Sequence, residues 1–263
     1  MTNRGQTKGQ ANATARNEMM RACVTDGMNL TPAAHTKWVH LCCLSGLLGS
    51  VLFFTGDMLF CGTWSSGAAF HAFPLMAEKS AAELVIGGAL GPVAALFSAF
   101  GMGIFWLTLK PASPRLASLA AGLLAVMMLV GASYHAVFTC FGFAAKVTDE
   151  ATRTALLSQI ASLRNTISYP MYAAGVAGTL LVYWLALRKK TMFPKWLLIF
   201  LPTTLSLASD AFRGLFVMIP APFGGIVRGG WINGSFVLFF AIATCLFWRS
   251  GRSSIQKTPS NSI

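Results

Sequence analysis

Residues 39–61 read VHLCCLSGLLGSVLFFTGDMLFC, and this stretch decides the fold. Its 23 residues include a single carboxylate, Asp57. A membrane-spanning helix needs about 20 predominantly apolar residues. The stretch therefore predicts a transmembrane helix, and the acid in its second half needs an explanation.

Further apolar stretches follow along the chain, and its composition agrees with them. The chain is 55% hydrophobic and only 11% charged, whereas soluble domains carry about 25% charged residues. The ten-residue alternation of polarity that marks β-barrel strands is not seen. We predict an all-α, polytopic transmembrane helical bundle with six spans, at about 39–61, 81–109, 116–145, 166–187, 195–219 and 233–248.

The segment 148–165 differs from the spans because it is mostly polar. Asp149 and Glu150 stand at its start, where a helix dipole favours acids. Its apolar residues recur at helical spacing, as Leu156, Leu157, Ile160 and Leu163. This pattern predicts one short amphipathic helix lying at the membrane interface.

The distribution of basic residues predicts the domain limits and the orientation. Residues 1–37 form a disordered polar tail, 38–248 the transmembrane domain and 249–263 a second polar tail. With six spans, 14 of the 20 Lys and Arg residues fall in the tails and turns on one side, and five fall on the other. Because cytoplasmic loops are rich in Lys and Arg, both termini are predicted to be cytoplasmic.

Several classes of function are disfavoured. A net charge of +12 would suggest nucleic acid in a soluble protein, but here the basic residues lie in short loops and tails, so no nucleic-acid partner is expected. The hydrolase, metalloprotease and phosphate-loop motifs are absent. Four His residues leave few metal ligands. No metal and no cofactor are predicted, and a Cys61–Cys140 disulfide is left open.

Three ionisable residues within the predicted spans are the candidate catalytic residues: Asp57, Asp210 and His135. Ionisable groups inside a membrane are costly and usually functional. Each also has a structural alternative. Asp57 could only bond a neighbouring helix, His135 could carry a proton or merely bond one of the aspartates, and Asp210 could pair with Arg213 one turn away.

Five further residues are predicted to bind the substrate: Arg213, Glu83, Tyr134, Asn233 and Arg228. Five of the six spans place a polar group in the non-cytoplasmic half of the membrane, which predicts a polar pocket there. Glu83 could instead sit at headgroup level. Arg228 lies in a Gly- and Pro-rich segment that is predicted to be a loop, and it could bind an anionic headgroup or have no such role.

Four short motifs resemble an uncharacterised family of bacterial multi-pass membrane proteins of unknown function. They are Gly56-Asp57-Met58-Leu59, Gly87-Gly88-Ala89-Leu90-Gly91-Pro92, Tyr134-His135-Ala136 and Pro220-Ala221-Pro222-Phe223-Gly224-Gly225. This resemblance covers most of the membrane domain and implies its topology, without an activity. Gly56-Asp57 is also similar to a Gly-Asp pair of lysoplasmalogenases, membrane hydrolases with intramembrane aspartates and more spans than six. That resemblance implies Asp210 as the second aspartate.

These observations favour one function and leave two alternatives open. The favoured function is an intramembrane enzyme, a hydrolase or a cyclase or isomerase, that uses acid–base chemistry on a lipid or isoprenoid-like substrate. Its partners would be membrane lipids and a lipophilic small-molecule substrate. The alternatives are a small-molecule or proton-coupled transporter or binding protein, and a structural partner in a membrane complex.

Overall fold

The computed structural model describes residues 31–188, 190–211 and 213–255, with the backbone alone at residues 32, 207, 210, 211, 213 and 249–255. Within these ranges the chain is helical and has no strand. The first helices are α1 (Pro32–Cys61), α2 (Ala72–Glu78), α3 (Ala81–Gly101), α4 (Gly103–Leu109) and α5 (Pro114–Ala145). They are followed by α6 (Glu150–Arg188), a 3₁₀ helix (Lys195–Phe200), α7 (Pro202–Ala211), α8 (Arg213–Met218) and α9 (Phe223–Ile255).

The prediction of an all-α membrane bundle is confirmed. Within the described ranges, five helical stretches are long and apolar enough to cross a membrane: 33–61, 81–109, 114–145, 150–188 and 223–248. The second of them joins α3 and α4, which are separated only by Met102. Each of these five stretches contains one of the six predicted spans. The first helix begins at Pro32, so the prediction of a disordered tail is wrong for residues 32–37, and residues 1–30 of that tail lie outside the described part of the chain.

The remaining predicted span, 195–219, is a broken segment. It consists of the 3₁₀ helix, α7 and α8, and its backbone is extended at Leu201, where ψ is 131°. The next residue is Pro202, and a proline disfavours helical backbone at the residue before it. Side chains of neighbouring helices bond to carbonyls on both sides of the break, since Tyr183 donates to the Leu198 oxygen and Trp231 to the Leu205 oxygen.

The helix predicted over 148–165 is present, but it continues directly into the next span. Together they form the 39-residue helix α6, which at 1.5 Å per residue is about 58 Å long. The hydrocarbon core of a bilayer is only about 30 Å thick. Pro170, just inside the predicted span, lies within this helix without ending it.

The last helix begins earlier than predicted. Because α9 starts at Phe223, most of the segment 220–232 is helical, and the prediction of a loop around Arg228 is wrong. Its glycines lie where the chain packs closely against the α1–α2 connection. A Cβ atom at Gly224 would overlap the backbone of Gly67, so only glycine fits there.

The bundle has two ends with different cores. We use the name tail end for the end of the bundle at which α1 begins and α6 ends. The distal end is the opposite end, at which α1 ends and α3 begins. The tail cluster is the larger core, with Phe105, Leu109, Leu185, Leu197 and Phe240 among its buried residues. The distal cluster consists of Phe60, Cys61, Phe70, Met76, Leu84, Val137 and Phe141.

Candidate functional site

Three predicted site residues meet between the two clusters, each from a different helix. Asp57 comes from α1, His135 from α5 and Asn233 from α9. The Asn233 amide donates a hydrogen bond to Asp57 Oδ2 at 2.8 Å. His135 Nε2 lies 3.3 Å from Asp57 Oδ1, and the two side chains are only 6% and 19% exposed. Two of the three predicted catalytic residues are therefore in contact.

Glycines create the space that His135 occupies. A Cβ atom at Gly56 would overlap the imidazole, and one at Gly91 would lie 3.0 Å from His135 Cβ. The ring packs between Phe53 and Phe60, with centroids 5.3 and 5.1 Å away. The three motifs that contain Gly56-Asp57, Gly91 and His135 thus converge on a single point.

The imidazole of His135 is buried without a hydrogen-bond partner. Its distance to Asp57 is short enough for an ion pair, but the geometry is not that of a hydrogen bond. Consequently neither ring nitrogen is hydrogen-bonded to any residue that the structure describes. Buried polar atoms are nearly always satisfied, and an exception often has a catalytic role or a missing ligand. His135 is therefore the least satisfied group of this contact.

Tyr134 stands beside this contact. Its ring packs on Phe138, with the centroids 5.5 Å apart, and its hydroxyl lies within electrostatic range of Asp57 and of Tyr172 on α6. Tyr134 therefore borders the site between α5 and α6, as a substrate-contacting residue would.

The structure describes only part of what the segment 195–219 was predicted to contribute to the site. Asp210 is near the end of α7 and Arg213 begins α8, but both side chains lie outside the described part of the chain. The predictions that Asp210 is a second catalytic acid, and that Arg213 pairs with it or binds substrate, therefore remain predictions.

Glu83 and Arg228 lie in other surroundings, and both hold backbone in place. Glu83 closes a capping box at the start of α3, where its Oε2 accepts from the Ser80 N–H at 2.7 Å. Arg228 donates from Nη1 to the carbonyl oxygens of Gly67 and Phe70. It thereby ties the α1–α2 connection to α9.

The cysteines do not form the disulfide that the sequence left open. Cys61 is buried, Cys140 is exposed, and both are free thiols. Among the residues that the structure describes, no group of three His, Cys, Asp or Glu side chains could hold a metal ion.

A second polar contact, which the sequence did not predict, lies at the break before α7. The Thr179 and Thr203 hydroxyls are 2.8 Å apart, and Tyr183 contacts Thr204 at 2.9 Å. A cavity of about 10 Å³ borders Thr179 and Thr203, which is room for roughly one water molecule. The polar residues that follow Pro202 could have indicated a polar contact from the sequence. Nothing in the sequence indicated which residues of α6 would be their partners.

The site can hold and move a proton. A carboxylate and an imidazole are the two side chains most used for general acid–base catalysis. Asn233 fixes one carboxylate oxygen, so the other faces the imidazole. Phe53 and Phe60 cover the imidazole on two sides, and electrostatic interactions are stronger in apolar surroundings than in water.

Comparison with protein families yields a match over most of the chain. The model of a family of unknown function, DUF6796, matches residues 35–249, a range that includes every site residue described above. Neither the curated proteins nor the solved structures contain a match.

Proposed function

The chain belongs to the family of unknown function DUF6796, which carries no assigned activity, and we propose that it is an intramembrane enzyme. Its chemistry would be acid–base catalysis by Asp57 and His135 on a lipophilic substrate of the lipid or isoprenoid class. The observation that carries this proposal is the buried, unpartnered imidazole 3.3 Å from a carboxylate. If the His135 side chain served only packing, a hydrocarbon side chain in its place would make the protein more stable.

The division of labour follows from the contacts. Asn233 orients the carboxylate through Oδ2. Asp57 Oδ1 faces His135 Nε2 and can stabilise the imidazolium that forms when His135 accepts a proton from the substrate. His135 then returns the proton to the product. Tyr134, at the border of α5 and α6, would contact the polar group of the substrate.

A substrate from the bilayer fits the surroundings of the site better than one from water. The α1–α2 connection covers the distal end, where Phe70 and Met76 are buried in the distal cluster. In α6, by contrast, the described residues before position 174 are at most partly buried. Tyr169 and Tyr172 are exposed on this stretch. Aromatic residues with a polar tip suit a lipid-facing entrance.

The proposal includes the orientation and the second acid. The excess of Lys and Arg at the tail end supports cytoplasmic termini, which would put the site in the outer half of the bilayer. Asp210 would act as the second carboxylate, as the similarity to lysoplasmalogenases implies, and Arg213 would neutralise charge. Hydrolysis then competes with isomerisation or cyclisation as the reaction type.

A comparison of hydrophobic metabolites tests the proposal. Cells would express the wild type, Asp57→Asn, His135→Gln or Glu78→Gln at matched membrane levels, and their lipid extracts would be profiled by mass spectrometry. Glu78 is an exposed acid at the same end of the bundle, so Glu78→Gln is a matched control for the loss of one carboxylate. We expect the amount of at least one lipid species to change in cells that express the wild type or Glu78→Gln. The same species should stay unchanged in cells that express Asp57→Asn or His135→Gln.

The outcomes separate the enzyme from its alternatives. Identical profiles for the wild type and Asp57→Asn would reject the enzyme for the lipids of those cells. A change that needs Asp210 as well as Asp57 would support the two-aspartate mechanism. Stable co-purification of another chain with both the wild type and Asp57→Asn would favour a structural partner.

Proton-coupled transport is the second candidate, and the broken segment favours it. Interrupted helices often form the substrate and ion sites of transporters. The break at Leu201 and the hydroxyl pair Thr179–Thr203 have this character. Uptake into vesicles that depends on a proton gradient, and that stops in Thr203→Val, would support transport. Unchanged metabolite chemistry in the same vesicles would then exclude the enzyme.

A further inference from the structure

The tail end of the bundle is a strongly basic surface. Six cationic side chains are described there, whereas the five described acidic side chains all lie at the distal end. The cations are Lys37, Lys110, Arg115, Arg188, Lys190 and Lys195, and the acids are Asp57, Glu78, Glu83, Asp149 and Glu150. A surface with one sign of charge attracts a partner of the opposite sign.

Tryptophans surround this basic surface. Five of the seven tryptophans lie at the tail end, namely Trp38, Trp106, Trp184, Trp196 and Trp248. Such belts sit at the headgroup level of a bilayer. Two cations stack on these rings, since Lys110 Nζ is 4.9 Å from the centroid of Trp106 and the Arg188 guanidinium is 3.9 Å from that of Trp184. The cations are thus held at the depth of lipid phosphates.

Lys110 is the least expected of these cations because it is buried. It is only 8% exposed, and among the described side chains no carboxylate lies within ion-pair distance of it. His35, also buried, is close enough to feel its charge. A charge largely withdrawn from water is costly unless an anion accompanies it. Within the described part of the chain, Lys110 has no such anion beside it.

Backbone contacts bring a second basic turn next to Lys110. The Met192 N–H donates to the Thr108 oxygen at 3.0 Å, and Lys195 Nζ donates to the Leu187 oxygen at 3.2 Å. The turn after α4 and the turn after α6 are therefore neighbours. Their cations come from separate spans, so they converge only in the folded protein.

We propose that this tail-end surface, centred on Lys110, binds the headgroup of an anionic phospholipid. The phosphate oxygens would meet the Lys110 ammonium, and the cations of the neighbouring turn would form the rim. A lipid fits better than a free phosphate because the tryptophan belt places the surface at headgroup depth. The site is separate from Asp57 and His135, so it stands or falls independently of the proposed enzyme.

Lipid binding can be measured by native mass spectrometry and by thermal unfolding in nanodiscs. We compare phosphatidylcholine alone, phosphatidylcholine with phosphatidylglycerol, and phosphatidylcholine with inorganic phosphate. The wild type should retain phosphatidylglycerol and unfold at a higher temperature when that lipid is present, and inorganic phosphate should not reproduce the effect. Because each basic residue near a membrane surface contributes about fivefold in affinity, Lys110→Gln should weaken binding by at least about that factor.

Two control variants keep the test decisive. Arg164→Gln removes a cation at the distal end and should leave phosphatidylglycerol binding unchanged. Arg115→Gln with Lys195→Gln changes only exposed rim residues and should weaken binding if Lys110→Gln fails to fold. Equal retention of both lipids by the wild type would overturn the proposal. The proposal would also be overturned if the protein became selective for phosphatidylglycerol only after Glu18→Gln and Asp26→Asn. Acids of the N-terminal tail would then be the natural partners of Lys110.

Discussion

The two halves of the membrane domain are built differently. The tail half holds the large cluster of tightly packed apolar side chains, with stacked rings such as Phe105 and Phe239, 5.6 Å apart. The distal half holds a smaller cluster, and next to it the half-buried Asp57 faces the buried His135, whose ring nitrogens have no hydrogen-bond partner among the described residues. The tail half contains the larger apolar core, and the distal half contains a carboxylate–imidazole contact where hydrocarbon would be more stable.

The contrast indicates where stability and function are placed. Membrane helices associate through close packing of small residues and through polar contacts between helices. Both halves use close packing at glycines, as Gly101 against Gly46 and Gly88 against Thr139 show, whereas the carboxylate–imidazole contact lies in the distal half. Natural proteins often retain destabilising polar groups at functional sites. Changes to the tail half should therefore reduce stability, whereas some changes to the distal half should increase it.

The largest effect is expected from Gly101→Ala in the tail half. A Cβ atom there would overlap the backbone of Gly46 on α1, which cannot move aside as a side chain could. Overpacking of this kind costs about 3 kcal/mol. Thermal unfolding in detergent should show a clear loss of stability in this variant. The control is Gly122→Ala, where nothing lies within 4 Å of the added carbon, and equal losses in both variants would contradict the close α1–α3 packing.

A smaller loss is expected from Asn233→Leu in the distal half. The change removes the donor to Oδ2 of the half-buried Asp57 side chain, at a cost of about 1 kcal/mol. Unfolding should be measured for Asn233→Leu, Asp57→Leu and the double variant. Because the two residues are in contact, the double variant should lose less than the sum of the single ones. Strict additivity would show that the hydrogen bond contributes nothing.

His135→Leu should have the opposite sign. The substitution replaces two unsatisfied ring nitrogens with hydrocarbon between Phe53 and Phe60, which should raise the unfolding free energy by about 1–2 kcal/mol. The same variant should lose the activity detected in the metabolite comparison. A less stable but active His135→Leu would mean that the imidazole is a structural group.

The smallest effect is expected at the edge of the distal half, from Ser80→Ala. The Ser80 hydroxyl accepts from the Glu83 N–H at 3.1 Å and begins α3. Loss of such an N-cap costs about 1 kcal/mol. Activity should be unaffected, since neither residue reaches the site. Loss of activity with normal stability would show that the capping box also positions the catalytic groups.

Much of the fold could be predicted from the sequence because apolar length is a strong signal. It located the five continuous spans. It did not show that 195–219 is broken, because hydropathy does not register the backbone preference imposed by Pro202. It also missed the helical state of the segment around Arg228, where several glycines suggested a loop. There the glycines serve close packing instead of a turn.

The candidate site was only partly predictable. The depth of Asp57, His135 and Asn233 in their spans indicated a common polar layer, and the structure brings these three together. The sequence could not distinguish Glu83, which caps a helix, from an acid inside the site, because both lie near the same end of the bundle. It also gave no sign that Gly56 and Gly91 make room for the imidazole, since that depends on how three helices pack.

The most direct test is whether Asp57 and His135 act as one unit in turnover. The lipid species expected from the metabolite comparison can be quantified for the wild type, Asp57→Asn, His135→Gln and the double variant at matched membrane levels. Residues that act as a unit in catalysis are strongly non-additive, so the double variant should lose no more turnover than the more damaging single variant. The same replacement at an exposed site, His71→Gln, should leave turnover at the wild-type level. Losses that multiply fully in the double variant would contradict the acid–base pair.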